Sequence, residues 1–276
     1  MTKVDIDPVK DGQSKTKESK IKSTIGVDNV SNGVDIKKLL ESGAHFGHST
    51  SRWHPKMAPY LHSKRDGSHI IDLATTVVCL EKATEFIEKT TKSGKQVLIV
   101  GTKRQAKDAV KQVATQTHMP YVNERWVGGM LTNVDTIGSR IKRLKDFEQK
   151  MESGYFASKF NKLEIQRFQE EIDEMNHLYG GIKNMDVKLG AVFVADVNND
   201  INAVREARKL GVPVVAIVDS NADPSLVDFP IPANDDAIKS VALILNYIEQ
   251  AIQFGKAGIK EVKEKSVETV KTGEEK

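Results

Sequence analysis

The stretch "VLIVGTKRQA" (residues 97–106) is typical of a strand that leads through a tight turn into a helix. Its four apolar residues predict a strand buried on both faces of a sheet. Gly101 would form the turn, and we predict a helix over residues 103–117. If Lys103 and Arg104 open that helix, free backbone N–H groups and two cations would face a phosphate. The alternative is a solvated helix end that binds nothing.

The same turn does not match the nucleotide-binding motifs. A Walker loop ends in Gly-Lys-Ser/Thr, whereas here Gly101 is followed by Thr102 and only then by Lys103. A dinucleotide fingerprint needs three spaced glycines, and this turn has one. A phosphate at this turn would therefore belong to an external partner such as a nucleic acid.

Strand and helix patterns alternate on both sides of this stretch. The predicted strands are residues 69–73, 96–100, the short "PYV" (120–122), 191–196, 212–219 and 228–231. The other predicted helices are residues 75–94, 199–210 and about 235–254. Alternation of this kind predicts an α/β protein with a parallel sheet and helices on both of its faces.

Residues 136–180 interrupt the alternation. Apolar residues recur there at three- and four-residue steps on either side of Gly154, and the segment contains no strand pattern. We predict an antiparallel coiled-coil helical hairpin inserted into the sheet domain. The alternative is a pair of ordinary packing helices.

Both ends of the chain are polar. Residues 1–33 lack the apolar content that ordering requires, so we predict a disordered N-terminal extension. Residues 256–276 form a charged C-terminal tail of helix-forming composition. The α/β globular domain is then expected to span residues 34–135 and 181–255.

Composition limits the class of protein. The 276 residues carry 41 basic and 38 acidic side chains and a single cysteine, Cys79. Without a partner cysteine in the chain, a reducing compartment is expected. No secretory apolar segment opens the chain, and its apolar runs are shorter than a membrane helix needs. We expect a cytoplasmic protein with no membrane partner.

Cations and aromatic rings are concentrated in the first half of the chain. Residues 101–145 contain nine cations and three acids, and the predicted loop of residues 48–65 adds four cations and no acid. Such cations beside flat rings are typical of contacts to RNA backbones and unstacked bases, although each Trp could instead be a core anchor. The candidate RNA-binding residues are Arg52, Trp53, Lys56, Lys64, Arg65, Lys103, Arg104, Arg125, Trp126, Arg140, Lys142 and Arg143.

Acidic residues follow the predicted strand ends, where ligands of open parallel sheets bind. Asp196 and Asp219 are candidates for a structural Mg²⁺ or Zn²⁺, or for metal-assisted catalysis. Helix capping explains such aspartates equally well. His45 and His48 have a spacing that suits a metal only in a helix, and Gly47 makes loop packing the preferred interpretation.

Seven stretches together resemble one family, the bacterial type of small ribosomal subunit protein 2. They are "LLESGAHFGHSTSRWHPKMAPY" (39–60), "VGTKRQA" (100–106), "ERWVGGMLTNVDTI" (124–137), "RLKDFE" (143–148), "LYGGIKNM" (178–185), "AIVDSNADP" (216–224) and "PANDDAIKS" (232–240). The resemblance implies a flavodoxin-like (Rossmann-like) sheet of five parallel strands that carries the coiled-coil hairpin. The extension at residues 1–33 is longer than the family usually has.

The resemblance also implies a function. A protein of this kind is a structural, non-catalytic constituent of the small ribosomal subunit, with no small-molecule substrate. It is expected to bind small-subunit ribosomal RNA at the junction of head and body. Its other partners would be neighbouring small-subunit proteins and small-subunit protein 1, which recruits messenger RNA. Two alternatives are a metal-dependent α/β enzyme that uses the acidic crevice and a regulatory scaffold that binds proteins only.

Overall fold

A computed structural model describes residues 33–186 and 189–271, and the architecture below is that of residues 35–271. The predicted disordered extension lies outside the described residues, except for Gly33. The helices are α1 (Ile36–Glu41), α2 (Leu73–Lys92), α3 (Lys107–Thr117), α4 (Val134–Glu152), α5 (Tyr155–Lys159), α6 (Lys162–Tyr179), α7 (Ile201–Lys209) and α8 (Ile238–Lys271). The strands are β1 (Phe46–Ser49), β2 (Leu61–Arg65), β3 (Ser68–Ile71), β4 (Val97–Val100), β5 (Tyr121–Val122), β6 (Ala191–Val194), β7 (Val214–Val218) and β8 (Phe229–Pro232).

Five parallel strands form the main sheet, in the order β5-β4-β6-β7-β8. Counted along the chain, this is the order 2-1-3-4-5 of flavodoxin-like folds. The predicted fold class is therefore confirmed. Strands β4, β6 and β7 are buried along their whole length, as their unbroken apolar sequences predict.

The two faces of the sheet bury different helices. Alternate strand residues such as Leu98 and Val192 belong to a buried cluster that also contains Val204 of α7. The same cluster includes residues of the helical segment, namely Ile137, Leu144, Ile172 and Tyr179. Helices α2 and α3 pack against α8, and α2 also contacts β8.

Helices α4 and α6 form a hairpin. Their contacts run in opposite order along the chain, since Arg143 pairs with Glu171 and Phe147 packs edge-to-face against Phe168. The buried residues within each helix are seven positions apart, Ile137 and Leu144 in α4, and Ile172 and Tyr179 in α6. That spacing is the one expected for a coiled-coil seam. The winding of the two helices around each other stays a prediction.

A second, three-stranded antiparallel sheet has the order β1-β3-β2. The sequence pattern predicted a strand of the strand–helix alternation over residues 69–73 and a loop over residues 48–65. The strand is confirmed as β3, but its place in the alternation was wrong, because β3 pairs with β1 and β2 instead of joining the parallel sheet. The loop prediction was also wrong, because residues 61–65 form β2. Every residue of β2 after Leu61 is exposed, so the sequence has no alternation of apolar residues that would predict this strand.

The turn after β4 also differs from its prediction. Helix α3 begins at Lys107, not at residue 103. Thr102 is held outside the helix by Asp200, which accepts hydrogen bonds from its backbone N (3.1 Å) and from its Oγ1 (2.7 Å). Gly101 serves close packing, since a Cβ there would lie 2.7 Å from Val110 Cγ2 and 3.1 Å from Ala195 Cβ.

The outermost strands of the parallel sheet are short or rich in proline. Strand β5 has two residues, and β8 pairs Pro230 and Pro232 with Ala216 and Val218 of β7. The last helix continues beyond its predicted end near residue 254 and reaches Lys271. The backbone of the predicted tail is therefore helical from residue 256 to residue 271.

Candidate nucleic-acid interface

The strand order of the parallel sheet reverses between β4 and β6, and the crevice beyond their carboxyl ends is the usual ligand site of such folds. Lys103 lies there with its Nζ 3.1 Å from Asp196 Oδ2, 2.8 Å from Asp235 Oδ1 and 2.7 Å from Asp236 Oδ1. Only 20% of the lysine side chain is exposed. Three carboxylates thus surround a residue that the sequence offered as a phosphate ligand.

The charged groups of the crevice shift each other's pKa values. Burial alone would lower the pKa of Lys103, but hydrogen bonds to Asp235 and Asp236 raise it above its usual range. Burial and the charges of Asp196 and Asp219 raise the pKa of Asp235 to about 7, against the lowering effect of Lys103. The lysine therefore acts as a permanent counter-ion to the acidic crevice.

His48 lies on β1 and connects the two sheets at the same crevice. Its Nδ1 is 3.1 Å from Asp219 Oδ2 and its Nε2 is 3.3 Å from Asp236 Oδ2. The hydrogen bond to Asp219 raises the pKa of His48, although burial opposes the shift. Ligand atoms of His48, Asp219 and Asp235 lie within 4.8 Å of one another, close enough to bind one metal ion.

Of the two predicted metal ligands, only Asp219 belongs to that group. Asp196 is used otherwise, because its Oδ1 accepts hydrogen bonds from the backbone N of Asn198 (2.8 Å) and of Asn199 (3.1 Å). Its other oxygen faces Lys103. Asp196 thus fixes the turn before α7, as the capping alternative proposed for acids at strand ends.

The antiparallel sheet carries a second group of candidates. The Trp53 ring packs at a tilt of 35° against His69 with the ring centres 5.1 Å apart, and Lys64 Nζ lies 5.7 Å from the Trp53 ring. Lys56 Nζ is bound by Asp223 Oδ2 at 2.8 Å. The side chains of Arg52, Lys64 and Arg65 are exposed on this part of the surface.

The third group lies at the base of the hairpin, where the loop of residues 126–132 leads into α4. Glu206 of α7 organises this loop. Its Oε1 accepts hydrogen bonds from Trp126 Nε1 at 3.0 Å and from Gly129 N at 2.8 Å. Its Oε2 accepts from Leu131 N at 3.0 Å and from Thr132 N at 3.2 Å. A single carboxylate thus fixes the backbone of the loop.

Trp126 is 8% exposed and belongs to the buried cluster under the sheet. Trp126 is therefore a core anchor, which was the alternative to an exposed RNA-binding ring. Arg125, the preceding residue, is exposed. Arg125, Trp126 and Arg140 line one cavity of about 420 Å³. Arg140 and Arg143 line a neighbouring cavity of about 540 Å³.

Sequence reasoning missed Glu206 and the role of His48. Glu206 lies on the polar side of a short amphipathic helix, and its partners precede it by 74 to 80 positions. No local pattern marks such a residue. His48 was noticed, but as a loop residue, because the acids that flank it come from the far end of the chain.

Comparison with known proteins gives a consistent result. A profile of the family described as Ribosomal protein S2 matches residues 39–255. A small ribosomal subunit protein uS2 of Coprothermobacter proteolyticus is 48% identical over 225 residues, which are 82% of this chain and 84% of that protein. The uS2 protein of Nocardia farcinica is 47% identical over 222 residues, 80% of this chain and 78% of its own length.

A third relative, the uS2 protein of Picosynechococcus, is 46% identical over 225 residues, which are 82% of this chain and 88% of that protein. The profile match includes both sheets, the hairpin and the crevice. Among residues 33–186 and 189–271, no helix combines the length and apolarity that crossing a membrane requires.

Proposed function

The chain belongs to the ribosomal protein S2 family, and from this premise we propose that it binds small-subunit ribosomal RNA through exposed cations of its sheets and hairpin base. The resemblance stated from the sequence is thereby confirmed at the level of the family. The chain is a structural constituent of the small ribosomal subunit and not an enzyme.

Accessible charge supports the RNA contact. Six of the predicted RNA-binding cations are exposed and form no ion pair with any side chain described for residues 33–186 and 189–258. They are Arg52, Lys64, Arg104, Arg125, Arg140 and Lys142. An exposed cation of this kind exchanges small counterions for phosphates, which is the main source of affinity for nucleic acids.

The remaining cations are less available. Lys56, Lys103 and Arg143 each contact a carboxylate at 2.8 Å or less, and Arg65 Nε lies 3.6 Å from Asp66. Releasing such a pair costs free energy that a phosphate contact must offset. We therefore assign the main RNA contacts to the six unpaired cations, and assign Lys103 to the internal structure of the crevice.

The observation that carries the proposal is the hairpin base, where Arg125 and Arg140 line one cavity although they are 15 positions apart in sequence. The resemblance to the family supports three further proposals: a location between head and body of the subunit, contact with small-subunit protein 1, and residence on cytoplasmic ribosomes. If a structural Mg²⁺ or Zn²⁺ is bound, we propose His48, Asp219 and Asp235 as its ligands.

The alternative of a metal-dependent enzyme has no support. Catalysis at the crevice would need carboxylates that can reorganise around a reacting metal complex, and Lys103 already contacts Asp196, Asp235 and Asp236 at 2.7 to 3.1 Å. Sucrose-gradient sedimentation of a cell extract tests the proposal. The chain should sediment with small subunits and remain there at moderate salt.

Binding of the purified chain to small-subunit particles that lack it adds a direct measurement. Affinity should fall as salt rises, because each phosphate contact releases counterions. Salt-independent binding, or a chain found only at the top of the gradient, would contradict RNA binding. The latter result would favour a scaffold that binds free proteins.

A further inference from the structure

The two cavities at the hairpin base adjoin each other and form one groove, the hairpin-base groove. They share Thr136, Arg140, Leu178 and Tyr179 as lining residues. Their volumes are about 420 and 540 Å³, and each is within the range of sites that enclose a small organic group. The groove is therefore large enough for one nucleotide.

The walls of the groove differ in charge. Arg125 and Arg140 give a cationic wall on the side of the 126–132 loop and α4. Helix α6 supplies Glu171 and Glu174 on the opposite side. Glu171 already pairs with Arg143 at 2.5 Å, whereas Glu174 forms no ion pair with any side chain in the described part of the chain.

This asymmetry distinguishes between forms of RNA. A duplex presents phosphates along both of its strands, and the carboxylates of α6 would repel one of them. A single nucleotide presents one phosphate and one base, and its base edge carries N–H groups that a carboxylate accepts. The partly apolar lining between the walls, with Met175, Leu178 and Tyr179, suits the face of a base.

The groove is held open before any ligand arrives. Glu206 fixes the loop wall through hydrogen bonds to Trp126, Gly129, Leu131 and Thr132. Gly129 has the left-handed φ of 86° that this loop path needs. A preformed wall reduces the ordering cost of binding.

We propose that the hairpin-base groove receives one unpaired nucleotide of the ribosomal RNA, with its phosphate on Arg125 and Arg140 and its base edge toward Glu174. This inference rests on the proposed RNA-binding function and assigns a specific ligand class to one part of that surface. Sequence-specific RNA recognition commonly uses unstacked nucleotides of loops and bulges in this way.

Site-directed crosslinking on the full chain tests the proposal. Ser139 lines the groove and is exposed, so Ser139→Cys in a Cys79→Ala background accepts a benzophenone maleimide. The labelled protein is bound to small-subunit particles that lack this chain and irradiated, and the crosslinked nucleotide is located by reverse transcription. A label at Ser153→Cys, near the far end of α4, is the positional control.

We expect the Ser139 label to crosslink one or two adjacent nucleotides that chemical probing shows to be unpaired. Arg125→Ala with Arg140→Ala should abolish this crosslink, whereas Arg167→Ala, an exposed arginine of α6 outside the groove, should leave it unchanged.

Three results would overturn the groove proposal and leave RNA binding intact: crosslinks to paired helices, no crosslink from a chain that binds with normal affinity, or equal losses in the Arg125/Arg140 double variant and the Arg167 variant. A wild-type chain that fails to bind the particles would instead contradict the proposed function itself.

Discussion

The carboxylate of Glu206 accepts the indole N–H of Trp126 at 3.0 Å, and it joins helix α7 to a loop that precedes it by 80 positions. This hydrogen bond is one of several, because both carboxylate oxygens also accept backbone N–H groups of the same loop. Burial by itself would raise the pKa of Glu206, but these hydrogen bonds hold it below its usual range.

Replacing Glu206 with Gln should destabilise the protein by about 1.5–3 kcal/mol at pH 7, because the new amide group would face N–H donors. The folded pKa of Glu206 lies below the unfolded value of about 4.5. The carboxylate therefore stabilises the fold fully above pH 4.5, and this contribution is lost as the pH falls through the folded pKa.

Urea denaturation of both proteins at pH 7 and pH 4 measures the effect, and the difference should shrink at the lower pH. Glu170→Gln, on the exposed surface of α6, is the control and should stay within about 0.5 kcal/mol of wild type. Equal stabilities of the Glu206 variant and wild type at pH 7 would show that the loop does not depend on this carboxylate.

Replacing Lys103 with Met should leave the carboxylates of the crevice without their counter-ion and destabilise the fold by about 3–5 kcal/mol at pH 8. The deficit should be smaller at pH 6. The folded pKa of Asp235, about 7 with Lys103 present, lies above its unfolded value. Its protonation therefore favours the folded state at low pH, and this benefit is lost as the pH rises through the folded pKa.

Denaturation of the variant at pH 6 and pH 8 checks this prediction. The matched control is Lys107→Met, whose half-buried pair with Glu124 should contribute no more than about 1 kcal/mol. A deficit for the Lys103 variant that grows as the pH falls would contradict the assignment of Lys103 as counter-ion to the acids.

Arg104 and Lys103 are adjacent in sequence but should behave differently toward RNA. Arg104→Ala should lower the slope of log affinity against log salt by roughly 0.7 to 0.9, because an exposed cation is removed from phosphate. Stability should change little. Lys103→Met should alter stability much more than that slope.

The measurement is a salt titration of binding to small-subunit particles that lack this chain. Lys82→Ala, an exposed cation on α2, is the control and should leave the slope unchanged. An Arg104 variant with wild-type affinity and slope would mean that the turn after β4 is only a solvated surface.

A divalent cation at the crevice would make thermal stability depend on metal. The protein is first freed of metal with EDTA, and excess Zn²⁺ or Mg²⁺ is then added. If His48, Asp219 and Asp235 bind the ion, the melting temperature should rise by several degrees relative to the metal-free protein, because a ligand of the folded state stabilises it. His48→Ala should remove the rise. Superimposable melting curves with and without metal would leave the contacts of His48 with Asp219 and Asp236 as the complete description of the site.

The sequence predicted the parts of the fold that local patterns determine. Strands β4, β6 and β7 follow from unbroken runs of apolar residues, and α7 ends at Lys209, one position before its predicted end. The start of α3 was wrong, because Thr102 is bound by Asp200, a residue 98 positions away. The antiparallel sheet was missed for a similar reason. The exposed strand β2 has no apolar alternation of its own, and it forms because its backbone pairs with β3.

The candidate site was predicted as a set of residue types, and the sequence could not tell which charges are free. Lys103 and Arg104 look equivalent in sequence. Only the fold brings Asp235 and Asp236 to Lys103 from more than 130 positions away, while Arg104 stays exposed. The cations of the hairpin base were predicted from composition, and the carboxylate that shapes their surroundings was not.

The outermost strands of the main sheet affect how easily the protein aggregates before it is assembled into a particle. A row of unpaired backbone groups on an edge strand invites a strand of another molecule, and this is a common beginning of aggregation. Here β5 offers only two residues, and β8 is a four-residue strand that contains two prolines, a composition found at sheet edges. In a copy that has not yet bound RNA, the edges of the main sheet therefore offer little backbone to which a strand of a second molecule could add.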